Sequence, residues 1–235
     1  MKIAIVIPVY KPELTDNEKK SLLQMNSVLY KFDQYFIGPE SLDFSNYYAL
    51  SKGAKNRMFE KKYFGSIEGY SQLMLSPFFY KNFIEYDYIL IYQLDAWVFD
   101  DQLESWCLRG YDYIGAPWIE KPPLTKGEPI FDLSPYFKDR VGNGGFSLRK
   151  VKSHYINTLL FRPFLKYFIK NEDMFWGLFL YFLNPFFKRP SVHEALKFAF
   201  ELNPRNSFKL TNHQLPFGVH AWEKYDPEFW KEWIK

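Results

Sequence analysis

The stretch "YILIYQLDAWVFDD" (residues 88–101) places a carboxylate inside the most apolar part of the chain. The run from Tyr88 to Tyr92 has the length and composition of a buried strand. Asp95 follows it, with Gln93 two residues earlier and further apolar residues behind. A lone buried carboxylate is costly unless something pairs with it. Asp95 therefore either leaves the core at the end of the strand or has a partner such as a metal ion.

Strand patterns alternate with helical patterns on both sides of this stretch. "IAIVIPV" (3–9), "DQYFIGPES" (33–41) and "YDYIGAPW" (111–118) predict further strands, and "VGNGGFSLRK" (141–150) predicts a glycine-rich turn into a strand. Residues 13–30, 66–83 and 100–110 have helical spacing, and residues 150–170 predict a helix that Pro163 disturbs. The stretch that follows residue 41, up to about residue 64, is polar and typical of a loop with a possible helix, and residues 119–139 are typical of a loop. This alternation predicts an α/β fold.

Composition limits the possible functions. The 235 residues fit one α/β domain, and the net charge of +3 is spread along the chain without a basic run, so no nucleic-acid partner is expected. The single cysteine, Cys107, excludes an intramolecular disulfide and a thiolate zinc site. No stretch approaches the roughly 20 apolar residues of a membrane span. The first residues lack a secretion signal, and we expect a cytoplasmic protein.

Two aromatic and basic stretches allow two interpretations. They are "LLFRPFLKYFIK" (159–170) and "YFLNPFFKRP" (181–190). Basic residues among aromatic ones suit peripheral contact with the inner leaflet of a membrane. An ordinary core helix with lysines snorkelling at its edge explains the same pattern.

Three more motifs carry polar groups in apolar surroundings. "NED" (171–173) is either a helix start with acids in its first turn or a carrier of a general base. "GNGGF" (142–146) is either a tight turn or a loop that lets the backbone approach a ligand, and it lacks the spacing of a dinucleotide or P-loop motif. His220 in "PFGVHAW" (216–222) is either a packed residue or a metal ligand.

The order of these motifs resembles glycosyltransferases of the GT-A fold, most closely an uncharacterised bacterial branch. The resemblance covers nearly the whole chain and rests on "IVIPVY" (5–10), "SIEGYSQLMLS" (66–76), "YILIYQLDAWVF" (88–99), "GYDYIGAPW" (110–118), "GNGGFSLRK" (142–150), "NEDMFWG" (171–177) and "LPFGVHAW" (215–222). It implies a single Rossmann-like GT-A domain over residues 1–235, with a mixed central sheet flanked by helices. Residues 1–118 would bind the nucleotide-sugar, and residues 119–235 would bind the acceptor and carry the catalytic groups.

The resemblance also implies roles for individual residues on the donor side. The last Asp of an Asp-x-Asp motif usually binds the metal in this fold, so Asp95 and the late His220 are the expected ligands of Mn²⁺ or Mg²⁺. Gln93 replaces the first Asp and would bind a ribose or sugar hydroxyl. The other expected donor-binding residues are Pro8, Val9 and Tyr10 at the first strand end, Tyr70 near the base, and Gly144 and Gly145 beside the donor sugar.

On the acceptor side, Asp173 matches the catalytic base of inverting members, with Glu172 as acceptor binder or backup. The expected reaction moves a sugar, with inversion, from a nucleotide-sugar that is typically UDP-linked. The acceptor would be a hydroxyl of a bacterial surface glycan such as lipopolysaccharide or capsule, free or lipid-linked. A non-catalytic glycan-binding module is an alternative, favoured by Gln93. A nucleotidyltransferase would need a glycine- and arginine-rich loop after the first strand, which "IPVYKPELTDNEKK" (7–20) does not provide.

Overall fold

The computed structural model describes residues 1–119 and 140–235, which form a mixed central sheet with helices on both faces. The strands in these ranges are β1 (Ile3–Pro8), β2 (Asp33–Pro39), β3 (Lys55–Phe59), β4 (Tyr88–Tyr92), β5 (Trp97–Val98), β6 (Tyr113–Gly115), β7 (Pro117–Trp118), β8 (Arg140–Val141), β9 (Phe146–Lys150), β10 (Ala199–Phe200) and β11 (Gly218–Val219). The predicted loop at 119–139 lies, from residue 120 onward, outside the described residues.

The helices lie between these strands and after them. They are α1 (Asp16–Val28), α2 (Ser45–Leu50), α3 (Ile67–Met74), α4 (Pro77–Lys81), α5 (Leu103–Leu108), α6 (Val151–Leu160), α7 (Arg162–Leu165), α8 (Glu172–Met174), α9 (Leu180–Leu183), α10 (Val192–Phe198), α11 (Pro204–Leu210) and α12 (Pro227–Trp230), with a 3₁₀ turn at Lys61–Tyr63 and a π-helix at Phe175–Phe179. The helical stretch predicted over residues 150–170 is broken near Pro163, as expected: α6 ends at Leu160, and Pro163 lies in the first turn of α7. No helix in the two described ranges has the length and apolar content needed to cross a bilayer.

The central sheet has the strand order β3-β2-β1-β4-β9-β6. The first four of these strands run parallel, and β9 is antiparallel to both of its neighbours. The predicted mixed sheet is therefore confirmed. In β1, Ile5 and Ile7 face one core cluster while Ala4 and Val6 face the other. Helices cover both faces, which explains why the strands have continuous apolar sequences.

One strand of the sheet was not predicted. β3 ("KNRMF") pairs with β2 at the edge of the sheet, in the stretch expected to be a loop. An edge strand has one neighbour and tolerates charged and polar side chains, so it lacks the apolar run of a central strand. The predicted strand at 111–118 is two strands, β6 and β7, which pair with different partners.

A second, small sheet brings three distant parts of the chain to one place. β10 and β11 are parallel, and β11 is antiparallel to β5, with Val219 opposite Trp97. The residues that follow β10 and β11 therefore emerge at the same edge as the residues that precede β5. These residues are Glu201, His220 and Asp95.

Candidate active site at the carboxyl edge of the sheet

A cavity of about 550 Å³ lies beyond the carboxyl ends of β1 and β4. Ligands of open α/β sheets bind at this edge. Six residues that the sequence marks as donor-binding line the cavity together, namely Pro8, Val9, Tyr10, Tyr70, Gln93 and Asp95. The structure thus brings three separate sequence motifs to one cavity.

Asp95 lies at the end of this cavity and forms an ion pair with His220. The Asp95 Oδ1 atom is 3.2 Å from His220 Nε2, while the side chain as a whole is 44% exposed. Oδ1 is buried and makes no aligned hydrogen bond among the residues that the structure describes. Burial opposes the charge of Asp95, but His220 outweighs it and lowers the pKa of the carboxyl. Asp95 therefore stays ionised where it lines the cavity.

His220 is held in place from three sides. Its Nε2 is 3.1 Å from Gln93 Oε1, and its Nδ1 is 3.0 Å from Glu201 Oε1 and 2.9 Å from Asn143 Nδ2. Burial disfavours the imidazolium, yet the carboxylates of Asp95 and Glu201 raise the pKa of His220 to about 10. A carboxylate that is hydrogen-bonded to one ring nitrogen fixes the orientation of the imidazole ring. Histidines that bind a metal through the other ring nitrogen usually have such a partner.

The glycine-rich turn between β8 and β9 is shaped by Asn143. This residue adopts a left-handed conformation (φ 68°), and its Oδ1 accepts hydrogen bonds from the N–H groups of Gly145 and Phe146. A methyl group at Gly144 would clash with Glu172 Oε1, and one at Gly145 would clash with His220 Nε2. The side chains of Glu172 and His220 therefore lie directly against the backbone of these two glycines. Their contact with a donor sugar stays a prediction.

Glu172 is buried and forms an ion pair with Arg149, which is also buried. Arg149 Nη2 donates to Glu172 Oε1 over 2.8 Å, and the guanidinium also donates to the Tyr80 hydroxyl and to Ser147 Oγ. The second carboxylate oxygen of Glu172, Oε2, has no hydrogen-bond partner within the described ranges. A buried ion pair of this kind fixes the position of Glu172 at the start of α8.

Asp173 has a different environment from its neighbour. It is half-buried, and its Oδ1 accepts a hydrogen bond of 2.9 Å from the Met174 N–H. Burial raises the pKa of Asp173 to about 7, with a further contribution from the negative charges of Glu172 and Glu201. A carboxyl group with a pKa near neutrality suits proton transfer. The π-helix Phe175–Phe179 follows directly, and such segments often occur at functional sites.

Tyr70 on α3 is close enough to Asp95 and Glu172 for the charges of both carboxylates to add to the effect of burial, which raises the pKa of its phenol. Its hydroxyl is buried and makes no aligned hydrogen bond within the described parts of the chain. Burial raises the pKa of the phenol, so the hydroxyl stays neutral. Buried polar atoms are rarely left without a partner. Tyr70 Oη and Glu172 Oε2 make no aligned hydrogen bond within the described residues, and Asp95 Oδ1 has only its ion pair with His220, so a polar ligand would complete the bonding of all three.

The donor atoms fit a divalent cation shared with a ligand. Asp95 supplies a carboxylate oxygen and His220 an imidazole nitrogen, two groups that Mn²⁺ accepts. A histidine ligand must be neutral, so a bound cation would displace the proton of His220. Over residues 1–119 and 140–235, no three His, Cys, Asp or Glu side chains are grouped so that they could hold a metal ion alone. Further ligands would have to come from Gln93, from water or from a bound diphosphate.

Sequence reasoning missed three residues of the site. Glu201 follows the apolar run "FAF" (198–200), much as Asp95 comes after the apolar strand β4, and that signal was available in the sequence. Arg149 is a charged residue inside a strand. Its position predicts a buried partner of opposite charge, but the sequence does not identify that partner as Glu172. Asn143 stands within the quoted turn, but only the structure shows its side chain on His220.

The architecture is that of GT-A glycosyltransferases. Mouse xyloside xylosyltransferase 1 in its apo form superposes with a TM-score of 0.55 and 15% identity, covering 94% of this chain and 97% of that one. An active-site mutant of LgtC gives 0.55 and 15%, with coverages of 97% and 94%. The apo glycosyltransferase GlyE of Streptococcus pneumoniae TIGR4 gives 0.53 and 15%, with coverages of 99% and 60%. At these identities the similarity establishes the fold alone.

The chain belongs to the family described as "Protein of unknown function (DUF5672)", whose model matches residues 53–220. Among curated proteins, none matches the chain.

Proposed function

We propose that the protein transfers a sugar from a nucleotide-sugar donor, typically UDP-linked, to a hydroxyl group of a glycan acceptor. One observation carries this proposal. On a GT-A fold, the cavity at the carboxyl edge of the sheet is lined by Tyr70, whose buried Oη makes no aligned hydrogen bond to the described residues, and by Asp95, whose buried Oδ1 has among them only its ion pair with His220. These atoms would gain partners from the phosphate and sugar groups of a donor.

The donor would lie along the cavity from β1 to Asp95. The volume of the cavity falls in the usual range for small-ligand sites, roughly 300–1,000 Å³. Pro8, Val9 and Tyr10 would contact the base and ribose. Tyr70 and Gln93 would offer neutral hydrogen-bonding groups to sugar or ribose hydroxyls. The negative charge of Asp95 would repel an anionic diphosphate, so the diphosphate would bind beside Asp95 together with a cation.

Asp95 and His220 would hold that cation, Mn²⁺ or Mg²⁺, and Glu201 would orient His220 through Nδ1. When bound, the cation would neutralise negative charge on the leaving nucleoside diphosphate. Gln93 adds an amide oxygen beside His220 Nε2 but no charge. The protein's own contribution is thus a pair of ligands that the small sheet of β10, β11 and β5 holds together.

Asp173 would act as the general base. It would take the proton of the acceptor hydroxyl as the new bond forms between that oxygen and the anomeric carbon, and the bond from the anomeric carbon to the phosphate oxygen would break. A pKa near 7 lets Asp173 accept a proton at neutral pH. Attack from the face opposite the diphosphate would invert the anomeric centre. Glu172 is held by Arg149 and would position the acceptor instead of taking the proton.

The acceptor would be a bacterial surface glycan such as lipopolysaccharide or capsule, assembled on the cytoplasmic face of the membrane. Within the proposal, the division at residue 118 separates a donor-binding half from an acceptor-binding half.

A donor panel tests this function without knowledge of the acceptor. The protein is incubated with nucleotide-sugars and Mn²⁺, or with EDTA, and slow release of free nucleoside diphosphate is followed. We expect release from one donor, only with metal, and a loss of at least about 100-fold in Asp173→Asn if water replaces the acceptor as the nucleophile. Absence of release from every donor, with or without metal, would contradict a transferase.

The same variant distinguishes the transferase hypothesis from the alternative of a non-catalytic glycan-binding module. Gln93, which stands where an acid is usual, favours that alternative. A binding module predicts that Asp173→Asn binds glycans and nucleotide-sugars as the wild type does and that neither protein releases nucleotide. A transferase predicts that the variant keeps donor binding and loses turnover.

A further inference from the structure

The helix α6 buries several polar residues and exposes several apolar ones. It buries His154, Asn157 and Thr158 and exposes Ile156, Leu159 and Leu160. A surface helix normally turns its apolar stripe toward the core. Leu159 and Leu160 begin the stretch 159–170, for which the sequence predicts either membrane contact or an ordinary core helix, and the choice between them stays open.

The exposed apolar surface continues beyond α6. The other large apolar side chains on it, between 49% and 86% exposed, are Phe164, Tyr167, Tyr181, Phe182, Leu183 and Phe186. The two segments are joined, because Asn184 Nδ2 donates to Asn157 Oδ1 over 2.9 Å and Ile156 and Phe186 line one cavity. We call this surface, residues 156–167 and 181–186, the aromatic face. Exposed apolar surfaces of this extent usually mark an interaction site.

The exposed charges of the chain segment that carries the aromatic face have one sign, although the buried Asp112 lines the cavity beside Ile156 and Phe186. Between Lys150 and His193 the only acidic residues are Glu172 and Asp173, which belong to the active site. The same stretch contains exposed Lys152, Arg162, Lys166 and Lys188. Because this stretch presents cations and no exposed acid, it is complementary to a surface of negative charge.

A basic cavity lies at the edge of the aromatic face. It has a volume of about 690 Å³ and is lined by Arg140, Arg189, Lys188 and Tyr181, among others. The Arg140 and Arg189 guanidinium carbons lie 5.5 and 4.8 Å from the centre of the Tyr181 ring. The Nε atoms of both arginines are buried and have no hydrogen-bond partner in the described ranges. Burial and the charge of Arg140 lower the pKa of Arg189 to about 10, so an anion here would supply both a counter-charge and hydrogen-bond acceptors.

We propose that the aromatic face docks the protein onto an anionic lipid bilayer, with a lipid phosphate bound between Arg140 and Arg189. Aromatic and aliphatic side chains beside cations are the composition of interfacial membrane anchors. A second copy of this chain fits less well, because a two-fold interface would place the same cations against each other. The proposal does not depend on the transferase activity.

Docking in this way would bring the active site close to the membrane surface. The helical stretch from α8 through the π-helix to α9 begins with Asp173 in its first turn and ends in the aromatic face. Phe182 follows Asp173 by nine positions (182 − 173), which corresponds to roughly 14 Å along a helix. An acceptor attached to a lipid carrier would lie within reach of Asp173.

Vesicle co-sedimentation of the full chain tests the proposal. Vesicles of phosphatidylcholine alone are compared with vesicles that contain about one third phosphatidylglycerol, which carries the negative charge. We expect binding to the anionic vesicles that weakens with added salt, and at least about tenfold weaker binding to the neutral ones. The double variant Phe182→Ser/Phe186→Ser and the double variant Lys166→Glu/Lys188→Glu should each lose at least about tenfold in binding. Arg140→Gln should lose a smaller but measurable part.

Matched controls lie on a different surface. Tyr30 is 76% exposed and Lys20 is exposed, so Tyr30→Ser and Lys20→Glu should fold and bind as the wild type does. Melting temperature and circular dichroism verify that each variant is folded. Equal binding to both kinds of vesicle, no binding to either, or unchanged binding in both double variants would overturn the proposal. Light scattering that shows a dimer lost in Phe182→Ser/Phe186→Ser would also overturn it, because the face would then be an interface between copies.

Discussion

His220 Nε2 lies 3.2 Å from Asp95 Oδ1, although the two residues come from opposite halves of the chain. The contact follows from strand direction. β5 starts just after Asp95 and runs antiparallel to β11, which ends just before His220. Glu201, at the end of the parallel strand β10, reaches the other side of the imidazole ring. The carboxylate that stands in an apolar sequence is thus paired with a histidine at the end of a cavity.

The pH dependence of turnover should report the pKa of Asp173. Because the base must be unprotonated, we expect kcat to fall about tenfold per pH unit below pH 7 and to level off above it. Donor affinity measured over the same pH range separates this effect from binding. A kcat that is constant from about pH 5 to about pH 8 would show that another group takes the proton.

Stability should depend on the same carboxyl group, but in the opposite direction. The pKa of Asp173 is raised from 3.8 to about 7 in the folded protein, so the folded state binds the proton more tightly than the unfolded state. The stabilisation is complete below about pH 4 and is lost as the pH rises through 7. We expect Asp173→Asn to be more stable than the wild type at about pH 8, by on the order of 2–4 kcal/mol, with a smaller difference at about pH 5.

Urea unfolding at the two pH values measures this difference. Glu13→Gln is the matched control, because Glu13 is exposed and its replacement should change the free energy of unfolding by less than about 0.5 kcal/mol. A variant of Asp173 that is no more stable than the wild type at the higher pH would contradict the burial and charge repulsion described for this carboxyl.

The Glu172–Arg149 pair should be important for the fold. Glu172→Gln removes the charge that Arg149 meets in the core and leaves a buried guanidinium unpaired. The expected cost is about 3–5 kcal/mol in the free energy of unfolding. The surface pair Glu228–Lys231 is the control, and Glu228→Gln should cost well under about 1 kcal/mol. Similar losses in the two variants would show that the buried pair is not fixed as described.

The sheet and the position of Asp95 at the cavity could be predicted because buried strands have continuous apolar runs and their ends are recognisable. The resemblance to GT-A enzymes also paired Asp95 with His220, two residues that no local pattern connects. The edge strand β3 escaped prediction because "KNRMF" has no apolar run. The ion pair of Arg149 escaped because its partner on α8 is fixed only by the packing of that helix against the turn at Gly144.

Donor binding at Asp95 is the central claim, and calorimetric titration of nucleotide-sugars tests it most directly. The wild type and Asp95→Asn are titrated with the donor panel, with Mn²⁺ or with EDTA, and Asp100→Asn serves as the control because Asp100 is exposed and outside the cavity. We predict that the wild type and the control bind one donor with metal, and that Asp95→Asn binds it at least about tenfold more weakly because a charged ligand of the cation is lost. Equal binding by the wild type and Asp95→Asn, or no binding of any nucleotide-sugar by the wild type, would contradict the account.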